Sequence, residues 1–129
     1  MPNKNYSVIV PRAVNPKPST REMSAAYILN DFFKSDVKFV VRSDNKTPDF
    51  LIKNSYWELK SPTGNGKYNL QHALRNAAKQ SENIIIDARF SKIHISKIKS
   101  ELSYQFKRSK NIKQLLLIDK QKNVIEIPK

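Results

Sequence analysis

Acids are scarce in this chain, yet two of them share the middle of the sequence with a lysine. The 129 residues hold 24 Lys and Arg against 11 Asp and Glu. Asp49 ends the run Thr47-Pro48-Asp49, and Glu58 and Lys60 close the run Tyr56-Trp57-Glu58-Leu59-Lys60. Asp49–Lys53 and Tyr56–Lys60 read as paired strands with side chains alternating between faces, and Asn54-Ser55 between them reads as a two-residue turn. That turn pairs Lys53 with Tyr56, Leu51 with Glu58 and Asp49 with Lys60. One face of the hairpin then carries Phe50, Ile52, Trp57 and Leu59. The other carries Asp49, Glu58 and Lys60, with Leu51, Lys53 and Tyr56.

In this register Asp49 faces Lys60 and lies diagonal to Glu58, roughly 7–8 Å away and closer at the side-chain tips. Carboxylates so placed can share one divalent cation. A metal at a phosphodiester polarises the phosphate and lowers the pKa of a bound water. A lysine beside it can stabilise charge on the phosphorane or orient the nucleophile. A plainer arrangement uses the same residues: Asp49 and Lys60 form a cross-strand ion pair, worth about 0.2–1 kcal/mol, and Glu58 is solvated.

The flanking elements must hold this hairpin. Ser19-Thr20-Arg21-Glu22 fits a capping box, and Ala25, Ile28, Leu29 and Phe32 follow at helical spacing, so a helix is expected over about residues 20–34. Val37–Val41 reads as a strand and Ser43–Pro48 as a polar loop. Ser61–Lys67 holds Pro62 and both glycines of the chain, and reads as a connecting loop. It lacks the spacing of a P-loop. A helix over Tyr68–Gln80, a buried strand over Asn83–Ala88, a helix over about 94–109 and strands at Gln114–Asp119 and Asn123–Ile127 complete the chain. Residues 1–18 carry four of the seven prolines and read as an extended arm or linker with one short strand at Tyr6–Val10; residues 19–129 read as one domain. The order helix, three strands, helix, strand, helix, two strands describes an α/β fold: a small central mixed sheet flanked by helices.

A formal net charge of +13 favours polyanionic partners. On the helix after the hairpin, Gln71, Arg75 and Lys79 share one face and His72 lies one residue off it, so these four are candidate nucleic-acid contacts. Lys97, Lys99, Lys107, Arg108, Lys110 and Lys113 make the C-terminal half basic and could track a phosphate backbone. Absence of cysteine excludes disulfides, thiol chemistry and a cysteine-built zinc site. His72 and His94 are the only histidines, and their spacing does not suggest a ligand pair. Trp57 belongs to the core. No apolar run is long enough to span a bilayer.

Pro48-Asp49 followed by Glu58-Leu59-Lys60 resembles the signature of the PD-(D/E)xK nuclease superfamily. The resemblance implies that Asp49 and Glu58 bind metal, that Lys60 is catalytic, and that an acid on the first helix, here Glu22, joins the metal site. A wider stretch covers Thr47-Pro-Asp-Phe, Trp57-Glu-Leu-Lys-Ser-Pro, and Asn69-Leu-Gln-His-Ala-Leu through Asn76-Ala-Ala-Lys-Gln. It resembles the C-terminal toxin domains of contact-dependent growth inhibition proteins of the CdiA type. The tRNase branch of that family cleaves transfer RNA and is blocked by a cognate immunity protein.

The expectation is a metal-dependent endonuclease toxin of PD-(D/E)xK fold acting on tRNA, with Mg²⁺, Mn²⁺ or Zn²⁺ as cofactor. It would be delivered from a larger secreted or surface toxin into a target-cell cytoplasm, or would be cytoplasmic if free-standing. Its immunity partner should be acidic. Two rivals use the same residues: a DNA endonuclease of the same fold, and a non-catalytic basic nucleic-acid-binding module.

Overall fold

The computed structural model describes residues 5–44 and 46–129. Among them run β1 (Val8–Ile9), α1 (Thr20–Phe33), β2 (Val37–Phe39), β3 (Phe50–Ile52), β4 (Ser55–Lys60), α2 (Asn69–Ala78), β5 (Asn83–Asp87), α3 (Ile95–Arg108), β6 (Gln114–Ile118) and β7 (Val124–Glu126). The strands form one mixed sheet in chain order, β1 to β7. β1 adds in parallel to β2, β2-β3-β4 is an antiparallel meander, β4, β5 and β6 are parallel, and β7 returns antiparallel. The segment read as an arm therefore lies partly against the sheet, and Val14 is buried in the core.

Sequence alternation decides which layer each strand residue joins. On β5 and β6, Ile84, Ile86, Leu115 and Leu117 pack with Leu70, Leu74 and Ala77 of α2 and Ile98, Leu102 and Phe106 of α3. Ile85, Leu116 and Ile118 turn the other way and join Phe50, Ile52, Trp57 and Leu59 under α1. Two successive strand–helix–strand units step in one direction along the sheet, which places α2 and α3 on the same side. Trp57 is core, 3% exposed, as its place in the alternation requires.

α1 starts on the expected capping box. Ser19 Oγ accepts from Glu22 N–H at 3.1 Å, and Glu22 Oε1 accepts from Ser19 N–H at 2.8 Å. Its buried stripe differs slightly from the expected one. Ala25, Ala26 and Leu29 are buried and Phe33 packs on Trp57 with ring centroids 5.4 Å apart, whereas Phe32 is 39% exposed. Phe33 lies one helical turn beyond Leu29 and so continues the inward stripe.

The hairpin turn falls one residue earlier than Asn54-Ser55. Lys53 and Asn54 both take positive φ, 49° and 68°, the requirement of a type I′ turn, whose twist matches that of the strands it joins. Phe50 then pairs with Trp57, Leu51 with Tyr56 and Ile52 with Ser55. The turn moves by one residue but the pairing by two, so every side chain keeps its expected face. Continuing this register past Phe50–Trp57 brings Asp49 level with Glu58, not with Lys60. No helix among the described residues is long and apolar enough to cross a membrane.

Candidate active site

Glu58 and Lys60 lie on β4, flanked by β3 and β5, and their Cα partners on β5 are Ile84 and Ile86. Alternation turns their side chains to the face covered by α2 and α3, away from Trp57 and Leu59. Glu58 is 2% exposed. Its Oε2 lies 3.4 Å from Lys60 Nζ, and its Oε1 is buried with no hydrogen-bond partner. The Lys60 side chain is 31% exposed, so the cation stands at the rim of the site.

Asp49 is held by its backbone from both sides. Its N–H donates to the Trp57 carbonyl at 3.1 Å and its carbonyl accepts from Val40 N–H at 3.0 Å. The β3–β4 ladder then departs from regular pairing. Leu59 N–H donates to Asp49 Oδ2 at 2.8 Å, a carboxylate oxygen standing where a strand would offer a carbonyl. This bond aims Asp49 at β4 and brings it into hydrogen-bonding relation with Glu58.

Electrostatics mark the pair. Burial, reinforced by the charge and hydrogen bond of Asp49, pushes the Glu58 carboxyl up to about 8, against an opposing pull from Lys60. Burial also raises Asp49; the Leu59 N–H and the bond to Glu58 oppose that rise, while the Glu22 charge adds to it. Two desolvated carboxyls side by side disfavour double ionisation, so they titrate as a unit.

Glu22 approaches from the α1 side. It lines a small cavity with Asp49, Val14, Phe39 and Arg42, and its charge is felt at Asp49. One of its oxygens is committed to the Ser19 N–H. Among the described residues, no three His, Asp or Glu side chains are gathered into a ready metal cage. The structure thus brings Asp49, Glu58 and Lys60 together and leaves Glu22 beside them in its capping role. The assembled carboxyls offer only oxygen donors, which suit a hard divalent cation.

The helix residues separate into two groups. Gln71, Arg75 and Lys79 line a groove of about 520 Å³ between α2 and α3, opposite Gln105 and Arg108. His72 is exposed and stacks with Tyr68, ring centroids 6.2 Å apart. His94 caps α3, its Nδ1 accepting from Ser96 N–H at 3.1 Å.

The sequence profile of the contact-dependent growth inhibition CdiA C-terminal domain matches residues 46–124. The chain belongs to that family. Among solved structures, the fold is similar to a chain of the CdiA-CT/CdiI toxin and immunity complex from Burkholderia pseudomallei, with TM-score 0.63, 17% identity, and coverage of 96% of this chain and 99% of that one. A search of curated proteins finds no match. The matched span of this CdiA C-terminal domain contains Asp49, Glu58, Lys60 and the α2 residues, while Glu22 lies outside it.

Sequence reasoning passed over one part of the domain. Asp87, wholly buried at the end of β5, holds Arg89 through Oδ1–Nε at 2.9 Å and Oδ2–Nη2 at 2.7 Å. Arg89 reaches on to Ser24 Oγ at 2.6 Å and to the Arg21 carbonyl at 3.3 Å, tying the first turns of α1 to the exit of β5. An acid ending an otherwise apolar strand, Ile84-Ile85-Ile86-Asp87, was the available signal.

Proposed function

We propose that this CdiA C-terminal domain is a metal-dependent endonuclease of PD-(D/E)xK type that hydrolyses phosphodiester bonds in transfer RNA. We further propose that it is carried by a larger surface or secreted toxin, acts in the target-cell cytoplasm, and is neutralised by an acidic immunity protein. The observation that carries the nuclease reading is the state of Glu58: a buried carboxyl pushed up to about 8, with one oxygen unpartnered, beside a second, partly buried carboxyl and a lysine. Burying two carboxyls together without a cation is unfavourable for folding, and such unfavourable arrangements concentrate at functional sites.

The residues fit a divalent cation. Asp49 and Glu58 would hold it; Glu22 would join by releasing the Ser19 N–H. A cation bound there supplies charge to polarise a phosphate and to acidify a coordinated water. The chain's own groups do the rest. Leu59 N–H fixes the Asp49 carboxylate, so one ligand is oriented before substrate arrives. Lys60, 3.4 Å from Glu58 and partly exposed, is placed to donate to a non-bridging phosphate oxygen as negative charge builds on it. Gln71, Arg75 and Lys79 give the nucleic acid a polar and basic groove along α2.

Family membership supports the toxin context, and the Burkholderia pseudomallei relative is described as a toxin and immunity complex. A charge of +13 favours an acidic partner here. The test incubates the purified domain with total tRNA and with plasmid DNA, in Mg²⁺, Mn²⁺, Zn²⁺ or EDTA, beside Glu58→Gln and Lys60→Ala. The expected result is metal-dependent tRNA cleavage lost in both variants. Cleavage of plasmid alone would transfer the site to DNA. Wild-type protein that cuts neither substrate would refute the enzyme reading.

A further inference from the structure

Beyond the exit of β5 stands a second group of residues for which the carboxyl site has no use. Phe90 is 37% exposed. The Arg21 guanidinium carbon lies 4.1 Å from its ring centroid, and that of Arg89 lies 5.0 Å away. The two arginines are not equivalent. Arg89 is buried and spent on Asp87 and Ser24. Arg21 is exposed, and among the described residues no carboxylate lies within ion-pair range of it. An exposed cation–π contact contributes only about 0.5–1 kcal/mol, a weak reason to hold a guanidinium over an aromatic ring.

Position gives the group its meaning. β4, β5 and β6 run parallel, so their C-terminal ends share one edge of the sheet, the edge where open α/β sheets bind ligands. Lys60 is the last residue of β4 and is level with Ile86. Phe90 follows Ile86 in the turn leaving β5. Arg21 immediately precedes Glu22, and its carbonyl is clamped by Arg89. A partly exposed ring and the arginine next in sequence to Glu22 therefore stand at the sheet edge where β4 ends in Lys60, on the side of α1, tied there by the buried Asp87–Arg89 pair. Single-stranded RNA is bound by stacking bases on aromatic rings and guanidinium planes and by pairing phosphates with arginine. An acidic protein surface would use the cation, but it has no need of the ring.

We propose that Arg21 and Phe90 form a nucleotide subsite that takes one phosphate and one base of a single-stranded segment flanking the bond cut at Asp49, Glu58 and Lys60. The subsite rests on the nuclease reading and extends it to an unpaired stretch of substrate, such as a tRNA loop.

The experiment uses the full domain with Lys60→Ala as parent, to prevent cleavage, and a fluorescein-labelled single-stranded RNA oligonucleotide read by anisotropy across a salt series. Arg21→Ala should weaken binding about fivefold to tenfold and reduce the slope of log K against log salt by about 0.7, one phosphate on a single strand. Arg21→Lys should restore the slope while leaving affinity reduced, because the planar face is gone. Phe90→Leu should weaken binding by a similar factor with the slope unchanged. Unchanged affinity and slope in Arg21→Ala, with the parent binding RNA normally, would overturn the subsite and leave the nuclease reading intact. A parent that binds no RNA, together with a wild type that cuts no nucleic acid, would instead remove the reading on which the subsite depends.

Discussion

Leu59 N–H donates to Asp49 Oδ2 at 2.8 Å, so a side-chain carboxylate completes a position in the strand ladder. Asp49 therefore has a structural duty as well as a chemical one. Asp49→Asn keeps an acceptor for this N–H, whereas Asp49→Ala leaves a part-buried donor unpaired, at a cost of about 1–3 kcal/mol. Thermal melts should place Asn close to wild type and Ala clearly below it, while tRNA cleavage assays find both inactive. Equal melting temperatures for the two variants would contradict the structural role.

Glu58 sets a pH dependence of stability. Its carboxyl is raised from 4.5 to about 8 in the fold, so between those values the native state holds a proton that the unfolded chain has released. Stability from that proton is fully present below the unfolded value and is lost as pH rises through about 8. Asp49 is also raised and acts in the same direction. In EDTA, denaturant titrations should show stability falling from pH 5 towards pH 9, and Glu58→Gln should flatten most of the slope. A divalent cation should offset the loss at the alkaline end, because it replaces the proton.

Lys60 opposes the rise of Glu58. Lys60→Ala should therefore do two separable things. Cleavage should fall by about 10²–10³, the scale for removing one donor to developing charge. Any residual activity should have its ascending pH limb displaced to more alkaline pH, since Glu58 loses a neighbour that favours its ionised form. A pH–rate profile of the variant beside wild type measures both.

The Asp87–Arg89 pair predicts a stability effect away from the carboxyl site. Both side chains are buried, 0% and 7% exposed, and removing one partner strands the other's charge. Arg89→Ala should lower unfolding free energy by about 3–5 kcal/mol, a large fraction of the stability of a domain this size. Chemical denaturation reads this directly.

The α2–α3 groove predicts an electrostatic signature. Arg75 and Lys79 line it across from Arg108. Arg75→Ala with Lys79→Ala should weaken RNA binding similarly for unrelated sequences and make it less salt-dependent, as lost phosphate contacts do. Affinity measured at several salt concentrations for two unrelated RNAs decides it.

Much of this architecture follows from local pattern. The capping box placed the start of α1, the apolar spacing of α2 and α3 fixed their buried sides, and the alternation along residues 49–60 separated Trp57 from Glu58. These features depend on neighbours within a few positions, where steric and hydrogen-bonding rules are strong. The position of the hairpin turn was harder to read. Positive φ at Lys53 is uncommon for a residue with a long side chain, and strand twist selects it over Asn54-Ser55. Phe32 likewise sat on the expected apolar stripe, and only packing against Trp57 chose Phe33 instead.

The sequence alone determined which residues could act together: Asp49, Glu58 and Lys60 share a face because side chains alternate with a period of two, whatever the register. Only the tertiary structure decided how they act. It buried Glu58 between strands and under helices, exchanged Lys60 for Glu58 as the residue level with Asp49, and turned Leu59 N–H onto a carboxylate. It also brought Arg21 from the first helix to Phe90 beyond the fifth strand. Desolvation and contacts between distant segments exist only once the chain is folded, so the raised pKa of Glu58 and the arginine–phenylalanine pair have no local signature.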